Sequence, residues 1–503
     1  MTLDGLISGA TTFGALLVGA AAIDALVRPR PGAALRGGSG LWLNACMTAA
    51  LFGLFLAICG NFMVAGVLAL AVVALLALAS NAKHAMLGEP LLFSDLALVG
   101  AIFRHPQFYL SAVRPWQRAA VAMAAAALLA VIGWFSVWTL APHLDGLLLL
   151  AGGLAALALS LRGGRVRRLA PTPRAAADLA RFGLLPTLLL YWLRWRESRD
   201  PPASEAVPRQ APRDAPELVI VIQCESFADP AELFGDPDLA LPALGLAREN
   251  ARQWGNLEVS GFGAYTMRTE YGVLFGREEE ALGFRRYDPF LTALGEASWA
   301  IPARLTAEGG ARWRSLFAHP HDMRFYGRDR IMPAGGFARL VGEDEFAPPA
   351  PGQGRYVTDA AMAQRIAELA AQADAPTLIY AVTIENHGPW APDDAAGGAS
   401  GGPNLVRSYL RLARHGDDML AHLQRSIGAL GRPALLVFFG DHRPSIPGAS
   451  LPGGARHTPY VMLSFDAAGR IMAGDNRRVD LTPAALHHAV LDTALGPAED
   501  RPL

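Results

Sequence analysis

The stretch LVIVIQCE at positions 218–225 is the strongest indication of the fold of the second half of this chain. Its apolar, partly β-branched run predicts a strand buried on both faces, which is typical of a central strand in a parallel sheet. The run ends in Glu225, and a second run, LLVFFGDH at 435–442, ends in Asp441 and His442. Because the carboxyl ends of parallel strands meet at one edge of a sheet, these side chains are candidate ligands of one metal ion.

Alternation of short apolar runs with helical stretches continues on both sides of these two strands. The predicted strands are 217–224, 377–384, 434–439 and 460–465, and the predicted helices are 360–371 and 405–430. This order predicts an α/β domain with a mostly parallel central sheet flanked by helices. A lone Glu or an Asp-His pair at a strand end is also typical of an ordinary solvated turn, so the metal site depends on their coming together.

Thr266 is the candidate nucleophile. It follows the loop SGFGAY at 260–265 and precedes an apolar stretch, 267–275, that can form a helix. Backbone N–H groups at a helix amino terminus favour an alkoxide or a bound phosphate, and a hydroxyl beside a metal ion can act as a nucleophile. The alternative is an ordinary threonine N-cap with Glu270 near the first turn.

Two further segments carry polar and aromatic side chains suited to a substrate head group. His319, Tyr326 and Arg328 occur in FAHPHDMRFYGRD at 317–329, and could bind a phosphate and a small hydroxylated group. His387, in IENHGPW at 384–390, follows a predicted strand and is a candidate general acid or base. Each segment is equally compatible with a solvated loop, and His457 is a weaker candidate for the same site.

The first third of the chain has the composition of membrane helices. Apolar stretches near the roughly 20 residues needed to cross a bilayer occupy 5–27, 41–60, 62–80, 118–141 and 145–161. Buried helices of a soluble protein are seldom apolar all round, and a cleavable signal peptide would be followed by polar sequence. We expect a transmembrane domain of about five helices at 1–165, a linker with an interfacial helix at 166–212, and a catalytic domain at 213–503.

Charge excludes some partners and raises a conflict about orientation. The chain has 503 residues, a net charge of −1 and 52% hydrophobic residues, and nothing in this balance points to nucleic acid. Its three cysteines suggest no disulfide framework. Arginines cluster after the first, third and fifth apolar stretches, and the positive-inside rule would place that side, and with five spans the catalytic domain, in the cytoplasm.

Taken together, these segments resemble the lipoteichoic acid synthase family of phosphoglycerol transferases, within the alkaline phosphatase and sulfatase superfamily. The specific matches are CESF at 224–227, Thr266 with Glu270, FYGRD at 325–329, ENHGP at 385–389 and GDH at 440–442. The segment NAKHAMLGEPLLFSDL at 81–96 also looks like the family's membrane-domain loop.

The resemblance implies roles for individual residues. Glu225, Thr266, Asp441 and His442 would bind one divalent metal, which we expect to be Mn²⁺, with Mg²⁺ or Zn²⁺ as alternatives. Thr266 would be the nucleophile. The phosphoglycerol head group would be held by His319, Tyr326, Arg328 and His387. Tyr326 stands where the family more often has Trp, and the family's catalytic domain faces outward, against the arginine count.

The function implied is transfer of phosphoglycerol from phosphatidylglycerol to a glycan or lipid acceptor in the cell envelope, through a phospho-threonine intermediate. The protein would sit in the inner (cytoplasmic) membrane as a multi-pass protein. Phosphoethanolamine transfer is an alternative, although such enzymes commonly carry disulfides in the soluble domain, where this chain has only Cys224. A non-catalytic membrane sensor is the other alternative. Sulfate ester hydrolysis is disfavoured, because position 266 lies in TMRTE rather than in a Cys/Ser-x-Pro-x-Arg motif.

Overall fold

The computed structural model describes residues 3–31, 36–96, 115–164, 166–309, 313–388, 390 and 402–498. The chain forms two compact units, Met1–Ser198 and Arg199–Leu503. Arg104 and Arg114, which follow the third apolar stretch, and Arg165, which follows the fifth, lie outside the described residues.

The first unit is helical throughout its described part. Its helices are α1 (Leu3–Ala25), α2 (Gly38–Cys59), α3 (Phe62–Leu87), α4 (Pro115–Phe135), α5 (Leu140–Arg162), α6 (Ala175–Phe182) and α7 (Leu184–Glu197). Helices therefore occupy all five predicted apolar stretches. Among the described residues α2, α3 and α5 are long and apolar enough to cross a membrane by length and composition, whereas α1 and α4 contain shorter apolar stretches.

Glycines allow α2 and α5 to approach each other closely. A Cβ atom added at Gly53 would lie 2.3 Å from the backbone nitrogen of Leu150, and one at Gly146 would lie 2.2 Å from that of Ala57. Small residues at such contacts let helix backbones pack directly, which is how helices associate where lipid removes the hydrophobic driving force. The packing supports the interpretation of these helices as membrane helices.

The buried ion pair of Arg36 and Asp24 attaches the hairpin of α6 and α7 to the rest of the first unit. Arg36 Nε lies 2.9 Å from Asp24 Oδ2, and its Nη1 donates to the carbonyl oxygen of Leu179 at 3.0 Å. Asp24 Oδ1 accepts from the N–H of Leu184 at 2.7 Å. Because these bonds satisfy free backbone groups at the α6–α7 junction, the hairpin is a built part of this unit.

The second unit is an α/β domain around a single mixed sheet. Its strands are β1 (Leu218–Cys224), β2 (Gln253–Leu257), β3 (Arg314–Ala318), β4 (Arg339–Val341), β5 (Thr377–Val382), β6 (Ala434–Gly440), β7 (Thr458–Phe465), β8 (Ile471–Met472) and β9 (Arg477–Arg478). Its α-helices are α8 (Pro230–Phe234), α9 (Pro242–Asn250), α10 (Thr266–Phe275), α11 (Glu279–Leu282), α12 (Pro289–Thr292), α13 (Ile301–Glu308), α14 (Arg328–Ala334), α15 (Asp359–Ala371), α16 (Gly402–Ala429) and α17 (Pro483–Leu495).

Strand order places β1 in the interior of the sheet, between its parallel neighbours β5 and β6. The order is β4-β3-β5-β1-β6-β7-β2-β9, and β8 pairs with β7. The first five strands in this order are parallel, and β7 runs antiparallel to both β6 and β2. All seven residues of β1 and of β6 are buried, as two-sided packing of helices requires. The predicted mostly parallel sheet is confirmed.

Candidate active site

Glu225 lies immediately after β1, where the backbone leaves the sheet. Its N–H donates to Thr383 Oγ1 at 3.0 Å, and Ser226 Oγ donates to Glu225 Oε1 at 2.8 Å. Thr383 follows β5, the parallel neighbour of β1, so two adjacent strand ends hold the carboxylate in place. Ser226 has φ 51°, a left-handed conformation that turns the chain sharply at this edge.

Asp441 and His442 follow β6 on the other side of β1. Asp441 Oδ1 accepts from the backbone N–H groups of Ser226 and His442, both at 2.8 Å. Its Oδ2 is buried and has no hydrogen-bond partner among the described residues. Burial, followed by the nearby charge of Glu225, raises the pKa of Asp441 to about 6. A buried carboxylate oxygen left without a donor fits a bound cation.

Thr266 is the first residue of α10. Tyr265, with φ 79°, occupies the N-cap position and no side chain caps the helix, so Thr266 is not the N-cap that its local sequence allowed. Its Oγ1 donates to Glu225 Oε2 at 3.4 Å and lies 3.4 Å from His442 Nε2. The hydroxyl therefore lies among the candidate ligands, at a helix end whose free N–H groups favour negative charge.

Glu225, Asp441 and His442 form one cluster. Within the described part of the chain, Glu225, Asp441 and His442 are the group of His, Cys, Asp and Glu side chains whose ligand atoms all lie within 4.8 Å of one another. His442 Nε2 is 3.6 Å from Glu225 Oε1 and 3.5 Å from Asp441 Oδ2. His442 Nδ1 donates to the carbonyl oxygen of Arg443 at 3.2 Å, which leaves the Nε2 lone pair facing the carboxylates.

This donor set fits a divalent metal. Two buried carboxylates and an imidazole nitrogen, with a hydroxyl oxygen beside them, match the ligands that Zn²⁺ and Mn²⁺ accept in proteins. Burial of Asp441, and then repulsion by the nearby Glu225 carboxylate, raises the pKa of Asp441, and a bound cation would offset both effects. Glu225, Thr266, Asp441 and His442 are the residues that would hold the metal.

Metal binding should stabilise the protein more at neutral than at acid pH. The folded, metal-free protein holds the Asp441 proton up to about pH 6, whereas an unfolded Asp releases it near pH 4, so metal-free stability falls as pH rises through this window. A metal must displace that proton. We expect Mn²⁺ to raise the thermal unfolding temperature of the detergent-solubilised protein more at about pH 7.5 than at about pH 5. Equal shifts at both pH values would contradict an Asp441 ligand.

His319 is placed on the same edge by β3. It is buried, and its Nδ1 donates to the carbonyl oxygen of Val382 at 3.0 Å. Burial, and then the charge of Arg328, holds the pKa of His319 well below its usual value. The imidazole is therefore neutral at physiological pH and its Nε2 is a hydrogen-bond acceptor, suited to a hydroxyl group of a substrate.

Arg328 forms a two-pronged ion pair with Glu270. Its Nε donates to Glu270 Oε1 at 3.0 Å and its Nη2 donates to Glu270 Oε2, and both side chains are almost fully buried. The guanidinium also lies over the ring of Tyr326, 5.1 Å from the centroid. Glu270 thus fixes the direction of the guanidinium, and the N–H groups that it does not engage are those left for an anion.

Removal of one partner of the Arg328–Glu270 ion pair should lower the free energy of unfolding, whereas apolar replacement of both partners should lower it much less. Arg328→Met leaves the Glu270 carboxylate buried without its partner, so we expect a loss of about 3–5 kcal/mol in the free energy of unfolding. The double substitution Arg328→Met/Glu270→Leu should recover most of that loss while remaining inactive. Thermal or urea unfolding of the full-length protein measures the first effect, and a transfer assay the second. Transfer activity in the folded double variant would contradict a role for Arg328 at the substrate.

His387 differs from the other head-group candidates because it is exposed. Its Nδ1 donates to the carbonyl oxygen of Gly388 at 2.6 Å, and its ring meets Tyr356 edge to face at 5.9 Å. His457 is directed elsewhere, since its Nε2 lies 2.5 Å from Glu232 Oε1. An exposed histidine with an available Nε2 can exchange a proton with an incoming hydroxyl group.

Asp359, Glu385 and His415 form a second polar network near Glu225, which was not predicted from the sequence. The Asp359 N–H donates to Glu385 Oε2 at 2.7 Å, and His415 Nδ1 lies 2.9 Å from Glu385 Oε1. Burial, followed by the charge of Glu385, raises the pKa of Asp359 well above its usual value. Glu385 belongs to the ENHGP stretch, so the signal was present, but its partners come from α15 and α16. This network supports the strand end that carries Thr383.

The sheet gathers two carboxylates, an imidazole and a threonine hydroxyl at its carboxyl edge, which is a donor set that fits a divalent metal. The sulfatase family model matches residues 217–491, more than half of the chain. The chain therefore belongs to the sulfatase family, and the predicted superfamily is confirmed.

Three known proteins are similar to this chain, two of them over most of its length. The capsular polysaccharide biosynthesis protein RkpI of Rhizobium meliloti is 30% identical over 443 residues, covering 82% of this chain and 80% of that protein. The integral membrane lipooligosaccharide phosphoethanolamine transferase A of Neisseria meningitidis has 13% identity and a TM-score of 0.53, over 92% of this chain and 96% of that one. The phosphoglycerol transferase GacH of Streptococcus pyogenes covers 61% of this chain and 80% of its own, with 16% identity and a TM-score of 0.43.

Proposed function

We propose that this protein is a membrane-anchored phosphoglycerol transferase that moves phosphoglycerol from phosphatidylglycerol to a glycan or lipid acceptor. The observation that carries the proposal is the position of Thr266 Oγ1, 3.4 Å from both Glu225 Oε2 and His442 Nε2 at the amino terminus of α10. A hydroxyl so placed is a nucleophile next to a cation site, and not a structural cap.

Two steps follow from this geometry. Thr266 Oγ1 attacks the phosphorus of the donor lipid, the bond from phosphorus to the diacylglycerol oxygen breaks, and diacylglycerol leaves with a proton. An acceptor hydroxyl then attacks the phospho-threonine, and the threonine oxygen regains a proton. His387 is the residue proposed to carry protons between these groups. Arg328 stabilises the charge on the phosphoryl oxygens, and a divalent metal, with Mn²⁺ proposed, would supply Lewis-acid neutralisation of the same charge.

The head-group site favours a glycerol over an ethanolamine moiety. The Arg328 guanidinium lies over one face of Tyr326, and its positive charge disfavours an ammonium group on the same face. The positive charge of Arg328 also opposes a second cation beside His319. Cys224, the cysteine of the catalytic unit, is free and buried, so the disulfides expected of phosphoethanolamine transferases are not formed by it.

A glycan acceptor and an outward-facing catalytic unit complete the proposal. The relative of 30% identity is named for capsular polysaccharide biosynthesis, which supports a glycan as the acceptor. Phosphatidylglycerol requires a membrane location, which we propose to be the inner membrane, crossed several times. The catalytic unit would then lie on the outer side, and reporter fusions at Pro212 would test this orientation.

A head-group competition assay tests the proposal. Purified full-length protein with Mn²⁺ is expected to release diacylglycerol from phosphatidylglycerol at least about tenfold faster than from phosphatidylethanolamine, which corresponds to about 1.4 kcal/mol of discrimination. The opposite preference would establish phosphoethanolamine transfer, the alternative reaction. Release from neither lipid, in a protein that binds the metal, would support the non-catalytic sensor.

A further inference from the structure

Two exposed leucines lie on the segment that borders the candidate head-group site. In the described part of the second unit, four large apolar side chains are exposed: Leu246, Leu291, Leu294 and Leu451. Leu291 is the last residue but one of α12, and its side chain is 46% exposed. Leu294 lies three residues further along the chain and is 54% exposed. Leu291 and Leu294 differ from the other two leucines because the segment that carries them contacts a candidate head-group residue, Tyr326, through Phe290.

Phe290, next to Leu291 in the chain, connects the pair to the head-group residues. Its buried ring meets Tyr326 edge to face, with the centroids 6.4 Å apart. The Tyr326 ring is in turn covered by Arg328 at 5.1 Å. Phe290 therefore connects the segment that carries the exposed leucines to Tyr326 and Arg328, two of the candidate head-group residues.

The same segment is tied to the residues at which the chain enters the second unit. Arg285 bridges Asp200 Oδ1 at 2.7 Å and Glu296 Oε1 at 2.8 Å. Trp299 Nε1 donates to the carbonyl oxygen of Pro202 at 3.2 Å. Asp200 follows the last residue of the helical unit, Ser198, by two positions, so at most about 7 Å of chain separates them. The leucine segment is thus bonded to residues 200 and 202, which closely follow Ser198 in the chain.

We propose that Leu291 and Leu294 form a lipid-contacting lip, which enters the interface of the bilayer and meets the acyl-ester region of the donor lipid while its head group occupies the site. The inference rests on the proposed function for the identity of that head group. Exposed leucines beside a polar site are typical of surfaces that bind a membrane, and their burial in lipid is favourable in proportion to their apolar area.

Lipid contact can be measured without any turnover. Leu294→Cys and Leu451→Cys variants of the full-length protein carry an environment-sensitive fluorophore in vesicles that contain brominated phospholipids; the native cysteines Cys46, Cys59 and Cys224 are buried. We expect quenching at position 294 and none at 451, which is 62% exposed in the unmodified protein. Absence of quenching at 294, or equal quenching at both positions, would overturn the lip.

Turnover gives an independent measurement. The variant Leu291→Gln/Leu294→Gln should raise the KM for long-chain phosphatidylglycerol at least about fivefold and leave a water-soluble short-chain analogue unaffected. Leu246→Gln/Leu451→Gln is the matched control and should change neither. An equal effect on both substrates would refute the lip as a lipid-contacting surface. If the unmodified protein turns over neither substrate, the proposed function fails, and the quenching result still decides the lip.

Discussion

Replacing Thr266 by alanine is expected to lower phosphoglycerol transfer by at least about 10³-fold, because its Oγ1 lies 3.4 Å from both Glu225 Oε2 and His442 Nε2, whereas the Ser226 hydroxyl is engaged in a hydrogen bond to Glu225 Oε1. Thr269 is the nearest threonine in the chain, but its Oγ1 donates to the carbonyl oxygen of Asp441 at 2.7 Å. Release of diacylglycerol from phosphatidylglycerol by the purified full-length variant measures the effect.

The matched control is Thr266→Ser, which keeps the nucleophilic oxygen and removes one methyl group. It should retain a measurable rate, while Thr266→Ala should not. Since Thr266 makes no capping bond, both variants should unfold within about 1 kcal/mol of the unmodified protein. An alanine variant that folds and transfers at an undiminished rate would rule out a phospho-threonine intermediate and support a non-catalytic protein.

Replacing Asp441 by asparagine is expected to weaken metal affinity by at least about 10²-fold and to abolish metal-dependent transfer. Loss of groups that merely support a ligand typically costs 10–100-fold in affinity, and Asp441 is proposed as a direct ligand. The substitution also removes one of two buried carboxylates that repel each other, so the metal-free variant should be as stable as the unmodified protein or more so.

Asp417→Asn is a suitable control for this experiment. Asp417 is also a buried carboxylate with a raised pKa caused by burial, but it accepts from the N–H groups of Ala243 and Leu244 at the start of α9. Its replacement should lower stability without changing metal affinity. Equal metal affinities of Asp441→Asn and the unmodified protein, measured by equilibrium dialysis with Mn²⁺, would exclude Asp441 as a ligand.

The strands that carry the metal candidates could be predicted because their signal is local. The apolar runs before Glu225 and Asp441 are long and end in charged residues, and β1 and β6 begin within one residue of the predicted positions. Their convergence follows from the parallel arrangement alone. The predicted strand 377–384 extended two residues beyond the end of β5, so the prediction placed Thr383 inside the strand and not at its carboxyl end.

The partners of the site residues could not be predicted, because they depend on contacts between distant parts of the chain. Arg328 and Glu270 are 58 positions apart, and nothing in either segment indicates that they pair. The short strands β3 and β4 and the segment around α12 carry too few periodic residues to be recognised. In the helical unit, α6 and α7 lie in the stretch predicted as a linker with an interfacial helix, and their bonds to Arg36 and Asp24 could not be predicted because those residues are distant in the chain.

We propose that Thr266 accepts the phosphoglycerol group beside a divalent metal. This step can be tested by mass spectrometry of the full-length protein after a brief incubation with phosphatidylglycerol and Mn²⁺, followed by digestion. We predict a phosphoglycerol adduct on the peptide that contains Thr266, lost when the metal is chelated and lost in Thr266→Ala. An adduct on another residue, or diacylglycerol release with Thr266→Ala at the normal rate, would contradict the account.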